Sequence, residues 1–173
     1  MNILIINASG STGSAITKEL SGSSANLILT SGSSDSVDGL DAIQWRYDGE
    51  DSVESLFNDV KSKCNELHAV VNCLGSIFLK PAHLTKKEDF DDVIDLNLRS
   101  SFFILKNSIP LMRKSGGSLL FFSSAAANIG LSNHEAIAAA KGGLEGLVKS
   151  VAATYAKNNI RVNAIALGLV ESN

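Results

Sequence analysis

Short apolar runs alternate with longer amphipathic stretches along the chain. The apolar runs fall at Ile3–Ile6, Leu27–Leu29, Ala69–Val71, Leu119–Phe122 and Ile160–Ile165, with a weaker one at Ala42–Trp45. They are short, several are rich in Ile and Val, and the strongest lack polar alternation. Strands buried on both faces of a parallel sheet read in this way. Helical patterns occupy the stretches between them, at Ser14–Leu20, Asp51–Asn65, Lys87–Lys114 and Glu135–Lys157. In Asp51-Ser52-Val53-Glu54 the first Asp and the early Glu suit a helix start. Pro110 is expected to kink or end an earlier segment of the third helix, splitting that span into two pieces. The serine- and glycine-rich stretch Thr30–Gly39 reads as a loop. Strand–helix alternation predicts right-handed crossovers and an α/β fold with a doubly wound parallel sheet of about six strands flanked by helices.

Composition narrows the class. The chain of 173 residues shows no internal repeat, linker or boundary, so one domain spanning residues 1–173 is expected. Charged residues make up 19%, below the usual ~25%, which argues against disorder and for a heavily buried interior. A net charge of −3 lacks the basic footprint of a nucleic-acid binder. No apolar run approaches the ~18–20 residues of a membrane span. The start, Met1 to Gly10, has no basic leader and too short an apolar stretch for a signal peptide. Cys64 and Cys73 have neither metal-binding spacing nor the number for a disulfide framework, so no metal site is assigned. These features predict a soluble, cytoplasmic protein with no nucleic-acid or membrane partner.

The first strand runs directly into Asn7-Ala8-Ser9-Gly10-Ser11-Thr12-Gly13-Ser14 and then into a helical segment. A turn of small residues lets backbone N–H groups approach a pyrophosphate, and the helix N-terminus favours its charge. The alternative is an ordinary strand-to-helix turn. Position strengthens the first reading, because this turn follows the first strand of an alternating α/β pattern.

From this turn onward the chain resembles the short-chain dehydrogenase/reductase family over nearly its whole length. The resemblance implies a Rossmann-like fold, an NAD or NADP cofactor and a small-molecule substrate. The family's first turn reads TGxxxGxG; Ile6, Asn7 and Ser11 stand where its Thr and first two glycines are expected, and Gly13 matches its last. Gly10 and Gly13 also fit the GxxG spacing of a related branch. By the resemblance, Ala8, Ser9, Gly10, Thr12 and Gly13 line the cofactor, and Asp48 matches the acidic residue that contacts adenine. Asn72-Cys73-Leu74-Gly75 resembles the family's NNAG segment, which assigns Asn72, Leu74 and Gly75 to the cofactor site; Cys73 reads as a buried small apolar residue. Discrimination between NAD and NADP sits after the second strand, here Thr30-Ser31-Gly32-Ser33-Ser34. That segment has no carboxylate to hold a ribose hydroxyl and no Arg to grip a phosphate. The hydroxyl cluster points towards NADP, and Asp35 leaves the choice open.

Carbonyl reduction by hydride transfer leaves negative charge on oxygen, and the family meets it with Ser, Tyr, Lys and Asn. The resemblance assigns Ser124 to the substrate oxygen, Lys141 to the nicotinamide ribose and to lowering the Tyr pKa, and Asn97 to a proton relay. The catalytic Tyr would lie four residues before Lys141, where this chain has Ile137. The enoyl reductase branch places its Tyr seven residues before the Lys, and here that residue is His134. Imidazolium is a competent acid near neutral pH, so His134 is the expected substitute, with a helix-start residue as the alternative. The small residues of the last helix, Gly143 and Gly146 among them, permit close helix approach, and the family implies a homodimer or tetramer built there. Arg161-Val162-Asn163-Ala164-Ile165-Ala166-Leu167-Gly168 resembles the family's RVNAIAPG, which adds Gly168 to the cofactor site and puts Leu167 in place of Pro.

Two functions stand open. One is an NAD(P)-dependent oxidoreductase acting on a carbonyl, alcohol or enoyl substrate. The other is a nucleotide-binding or assembly relative that kept the fold and lost the acid. The chain stops at Val170-Glu171-Ser172-Asn173, C-terminally short of where the family's substrate-covering loop and last strand follow. An open cleft and an exposed edge on the sixth strand are therefore expected.

Overall fold

The structure, a computed structural model, describes residues 1–169. Its seven strands are β1 (Asn2–Ile6), β2 (Asn26–Ser31), β3 (Ser36–Val37), β4 (Leu40–Gln44), β5 (Ala69–Asn72), β6 (Gly117–Ser124) and β7 (Ile160–Leu167). They form one sheet in the order β3-β4-β2-β1-β5-β6-β7, parallel throughout except for the β3–β4 pair. The chain winds outward from β1 to β2 and β4, then returns across β1 to β5. That reversal opens a crevice between the carboxyl ends of β1 and β5, the place where doubly wound sheets take their ligands.

The helices are α1 (Ser11–Ser21), α2 (Gly49–Lys63), α3 (Lys87–Ile94), α4 (Ser100–Met112) and α5 (Glu135–Tyr155). In α2 the buried residues Val53, Leu56, Phe57 and Val60 follow the spacing of one helical face. Glu50 and Asp51 in its first turn and Lys61 and Lys63 in its last complement the helix dipole. On one side of the sheet, Leu4, Ile6, Val70, Leu119 and Phe121 form the main core with apolar side chains of α2, α4 and α5. On the other, Ile3, Ile5 and Leu29 meet Ile16 and Leu20 of α1. Strand β7 shows the asymmetry: Ile160 and Val162 are buried, whereas Arg161, Asn163 and Ile165 are exposed. For β7, then, burial on one face replaces the expected burial on both.

Two sequence expectations are corrected. The Thr30–Gly39 loop contains β3, which makes the sheet seven-stranded rather than six. Asp38 and Gly39 both take positive φ (50° and 81°), and an Asp-Gly pair of this kind closes a tight hairpin between β3 and β4. The third helical span is divided by the wide turn Asp95–Arg99, a single π-helical segment, and not at Pro110. Helix α4 runs through Pro110 to Met112. The carbonyl that Pro110 leaves without a donor belongs, by helical spacing, to exposed Lys106, where water can serve it.

Strand β7 ends the sheet and pairs only with β6 among the described residues. The expectation about the chain from Val170 to Asn173 lies outside the described residues.

Candidate functional site

The turn after β1 is shaped by Asn7, which takes the left-handed conformation with φ 59°. Asn tolerates this region better than most side chains, so it replaces a glycine at modest cost. Its N–H donates to Thr30 Oγ1 at 2.9 Å, and its Nδ2 donates to the Cys73 carbonyl at 3.3 Å across the β1–β5 crevice. The Ala8 N–H donates to the Thr30 carbonyl at 2.8 Å. Helix α1 then starts from Gly10 as its N-cap, with no side chain satisfying its first N–H groups. A Cβ on Gly13 would lie 2.3 Å from the Asn7 carbonyl oxygen and 2.7 Å from Ala8 Cα. Only glycine fits there, and the close approach packs α1 against the strand end. Ser9 and Thr12 belong to the same turn.

Asn72 is 2% exposed, and its side chain is consumed locally: Nδ2 donates to Ser101 Oγ at 3.2 Å and Oδ1 accepts the Leu74 N–H at 3.1 Å. It shapes the turn that presents Leu74 and Gly75. Cys73 is half-buried, and burial pushes its thiol up to about 12, so it is an apolar filler and no nucleophile at neutral pH.

Gly75 joins two predicted residues. A Cβ there would lie 3.0 Å from Asn97 Oδ1 and 3.4 Å from Lys141 Nζ. Asn97, fully buried in the π turn, accepts the Ser76 N–H at 3.1 Å and donates to Ser76 Oγ at 3.1 Å and to the Val93 carbonyl at 3.0 Å. Lys141 is 7% exposed, and its Nζ donates to the Phe122 carbonyl on β6 at 2.8 Å. Burial lowers its pKa to about 8. An ammonium has three donors, and the Phe122 carbonyl is the one partner recorded for Lys141 among the described residues.

Ser124 ends β6 and caps the short turn Ala125–Ala127, its Oγ accepting the Ala126 N–H at 3.2 Å. Its hydroxyl proton remains available. Strand pairing sets Ser124 opposite Leu167, next to Gly168, where a side chain would meet nothing among the described residues. Ile137 is 4% exposed and packs with Val93, Ala136 and Ala140, so the position expected to hold Tyr is a sealed apolar contact. His134 caps α5 without bonding its N–H groups; its Nδ1 lies 2.7 Å from the Ser132 carbonyl, which leaves Nε2 free. No hydrogen bond links His134 to Ser124, Asn97 or Lys141 among the described residues. Tyr47 donates to Asp95 at 3.2 Å, and burial with that carboxylate holds its phenol up to about 12, so it offers no acid.

At the other end, Thr30 and Ser31 are fully buried. Ser31 Oγ accepts the N–H groups of Ser33 and Ser34 at 3.4 and 3.3 Å and folds the loop back on the strand. Asp48 precedes α2 but makes no side-chain cap bond; Ser52 Oγ instead accepts the Asp48 N–H at 2.8 Å. The Asp48 carboxylate is left exposed. Sequence reasoning missed Ser76 and Ser101, which hold the two buried asparagines, because isolated serines carry no spacing signal. It also missed Arg46, whose Nε donates to the Gly32 carbonyl at 2.8 Å. Arg46 lies two residues past the end of β4, and only the β2–β4 pairing brings it to the Ser31 loop.

Among the described residues no cluster of His, Cys, Asp and Glu could hold a metal ion, and no helix is long and apolar enough to cross a membrane. A family model described as enoyl-(acyl carrier protein) reductase matches residues 8–173. A hydroxynaphthalene reductase-like protein of Metarhizium anisopliae is 36% identical over 122 residues, covering 70% of this chain and 45% of that protein. A 3beta-hydroxysteroid dehydrogenase of Mediterraneibacter gnavus is 36% identical over 117 residues, 67% of this chain and 42% of that protein. The chain thus spans less than half the length of these curated relatives. A solved 4-hydroxyisoleucine dehydrogenase, complexed with NADH and succinate, superposes with a TM-score of 0.88 at 24% identity over 96% of this chain and 79% of that one.

Proposed function

The chain belongs to the short-chain dehydrogenase/reductase family, and we propose that it binds NAD or NADP and transfers hydride to or from a small carbonyl, alcohol or enoyl substrate. The observation that carries this reading is the meeting of Asn97 and Lys141 at Gly75, beside the crevice of the β1 turn. The residues present fit a dinucleotide. The small residues Ala8, Ser9, Gly10, Thr12 and Gly13 would let a pyrophosphate approach the first turn of α1, whose N–H groups no side chain caps. The Ala8 and Gly10 N–H groups are spent on the Thr30 and Asn7 carbonyls. Asp48 would face the adenosine, and Leu74, Gly75 and Gly168 the nicotinamide side. Thr30 and Ser31, expected to touch the cofactor, are fully buried with their hydroxyls bonded to Asn7, Ser33 and Ser34, so they act, like Asn72, by shaping the turns beside it.

A bound nicotinamide would supply or accept the hydride. In this reading Lys141, with its spare donors, holds ribose hydroxyls. Ser124 Oγ donates to the substrate oxygen while still accepting the Ala126 N–H. Asn97 fixes the Ser76 backbone beside them and supports the relay of a proton. His134 Nε2, or a water, delivers that proton, since Ile137 has none to give.

A second reading, a nucleotide-binding or assembly relative without turnover, is favoured by one observation: Ile137 is buried in apolar contacts where the family acid is expected. Titrating NADH and NADPH, followed by turnover on a panel of carbonyl and enoyl substrates, separates the two. Turnover supports the enzyme; binding without turnover supports the second reading; binding of neither nucleotide overturns both. We further propose a homo-oligomer built on α4 and α5. Gly142 and Gly146 have open space above them, and Phe102 is 49% exposed, whereas Gly143 is already used inside the chain against Leu98. Light scattering on the purified protein tests that. Two free cysteines suit a reducing compartment such as the cytoplasm.

A further inference from the structure

The ladder between β2 and β4 ends with Ser31 opposite Gln44, and the Trp45 N–H extends it to the Ser31 carbonyl at 2.8 Å. The next residue, Arg46, therefore lies alongside Gly32. Because Gly32 has no side chain, Arg46 crosses the space: a Cβ on Gly32 would lie 3.5 Å from Arg46 Cγ and 3.7 Å from its Nε. The Nε bond to the Gly32 carbonyl fixes the plane of the guanidinium. Its two terminal nitrogens have no carboxylate partner among the described residues. The hairpin carboxylate Asp38, at the opposite end of β4, is engaged elsewhere, accepting from Ser14 Oγ at 2.7 Å and pairing with Lys18 at 3.6 Å. Asp35 is exposed and has no bond to Arg46. The carboxyl end of β2 thus carries an oriented, unpaired guanidinium beside a loop of serines and no engaged acid.

We propose that Arg46 grips the 2′-phosphate of NADP(H) and sets the selectivity of this chain for the phosphorylated dinucleotide, a proposal that rests on the nicotinamide-binding reading above. The end of the second strand is where a dinucleotide fold meets the adenosine ribose, and an Arg there accommodates a 2′-phosphate whereas an acid holds the free hydroxyl. A guanidinium already held by Nε keeps its outer edge for phosphate oxygens, a pairing that favours Arg over Lys. Arg46 comes from the segment just after β4, so the segment after β2 need not contain a cation.

The test is a fluorescence titration of NADPH and NADH against the wild type, Arg46→Ala and Arg46→Gln, with circular dichroism to verify folding. Gln retains a donor for the Gly32 carbonyl, which separates propping of the loop from charge. Wild type should bind NADPH more tightly than NADH. Both variants should weaken NADPH by about 10- to 100-fold, the range for a lost charge-assisted hydrogen bond, and change NADH less than about twofold. Equal binding of both dinucleotides by the wild type overturns the proposal and leaves the nicotinamide reading standing. An equal loss for NADPH and NADH in Arg46→Gln overturns it as well, because the residue would then serve the loop alone. Binding of neither by the wild type overturns the proposal and the nicotinamide reading together.

Discussion

Lys141 Nζ donates to the backbone oxygen of Phe122 at 2.8 Å, two residues before Ser124 on the same strand. One hydrogen bond thereby ties the amine on α5 to the strand that presents the hydroxyl. Burial lowers the Lys141 pKa from 10.5 to about 8. Within that interval the unfolded chain binds more protons than the folded one, so this residue makes stability rise with pH from about 8 to 10.5. Below about pH 8 the cost of holding the buried cation is fully present, on the order of 3 kcal/mol. Lys141→Met should flatten the rise, as read by denaturant unfolding at pH 7.5, 9 and 10. An identical slope in the variant assigns the rise to other groups.

The same titration reaches binding. Dinucleotide affinity should fall as pH rises through about 8, where Lys141 loses its charge. Titrations of the wild type at pH 7 and 9.5 should show the fall, and Lys141→Met should bind weakly at both. A wild-type affinity independent of pH removes Lys141 from the ribose.

The two glycines of the β1 turn should behave differently. Gly13→Ala drives a Cβ into backbone, 2.3 Å from the Asn7 oxygen, whereas Gly10→Ala meets the movable Asn7 Nδ2 at 3.0 Å. Overpacking against main chain costs about 1–3 kcal/mol or more. Gly13→Ala should lower the midpoint of thermal unfolding and abolish dinucleotide binding. Gly10→Ala should retain most of both.

Asn97→Ala leaves the Ser76 N–H and the Val93 carbonyl without their buried partner. An orphaned buried polar group costs about 1–3 kcal/mol. Urea unfolding should show a loss of that size with an unchanged m-value. A loss below about 0.5 kcal/mol would mean that water replaces the amide.

The proton source is open to a pair of substitutions. With a substrate that turns over, His134→Ala should lower kcat by about 10²–10⁴, the typical worth of a general acid. An unchanged rate assigns the proton to water. Ile137→Tyr supplies the missing phenol at the cost of crowding Val93 and Ala136, and Ile137→Phe measures the crowding alone. A rate gain in the Tyr variant over the Phe variant would place the reacting oxygen within reach of residue 137.

The sheet was legible because its central strands are nearly unbroken apolar runs, from Ile3 to Ile6 and from Leu119 to Phe122. Strand β3 was hidden by its length: two residues cannot display a period, although Asp38-Gly39 marks its turn. The π turn had no signal either, since Leu96 and Leu98 suit an ordinary helix as well. At the site, Gly13 was legible from spacing, and Asn97 and Lys141 from likeness to the family. Nothing in spacing foretold that Gly75 would stand between them. Asn72 was assigned to the cofactor, and the structure uses its side chain for Leu74 and Ser101. Contacts just past the strand ends, such as Arg46 with Gly32, arise from the sheet register, which local sequence does not encode.

The short passage from β2 to β4 also bears on the order of folding. Gly32 and Arg46 are 14 residues apart in the chain, whereas Asn7 and Cys73, which meet across the crevice, are 66 apart. Closing the longer loop costs more chain entropy, and non-local pairings form more slowly than local ones. The β2–β4 corner can therefore assemble early, while the crevice between β1 and β5 waits for the collapse that brings the two halves together. Amide hydrogens of Thr30 and Trp45 should gain protection before those of Cys73 and Ser76 during refolding, which makes the β1–β5 crevice a late product of the folding reaction.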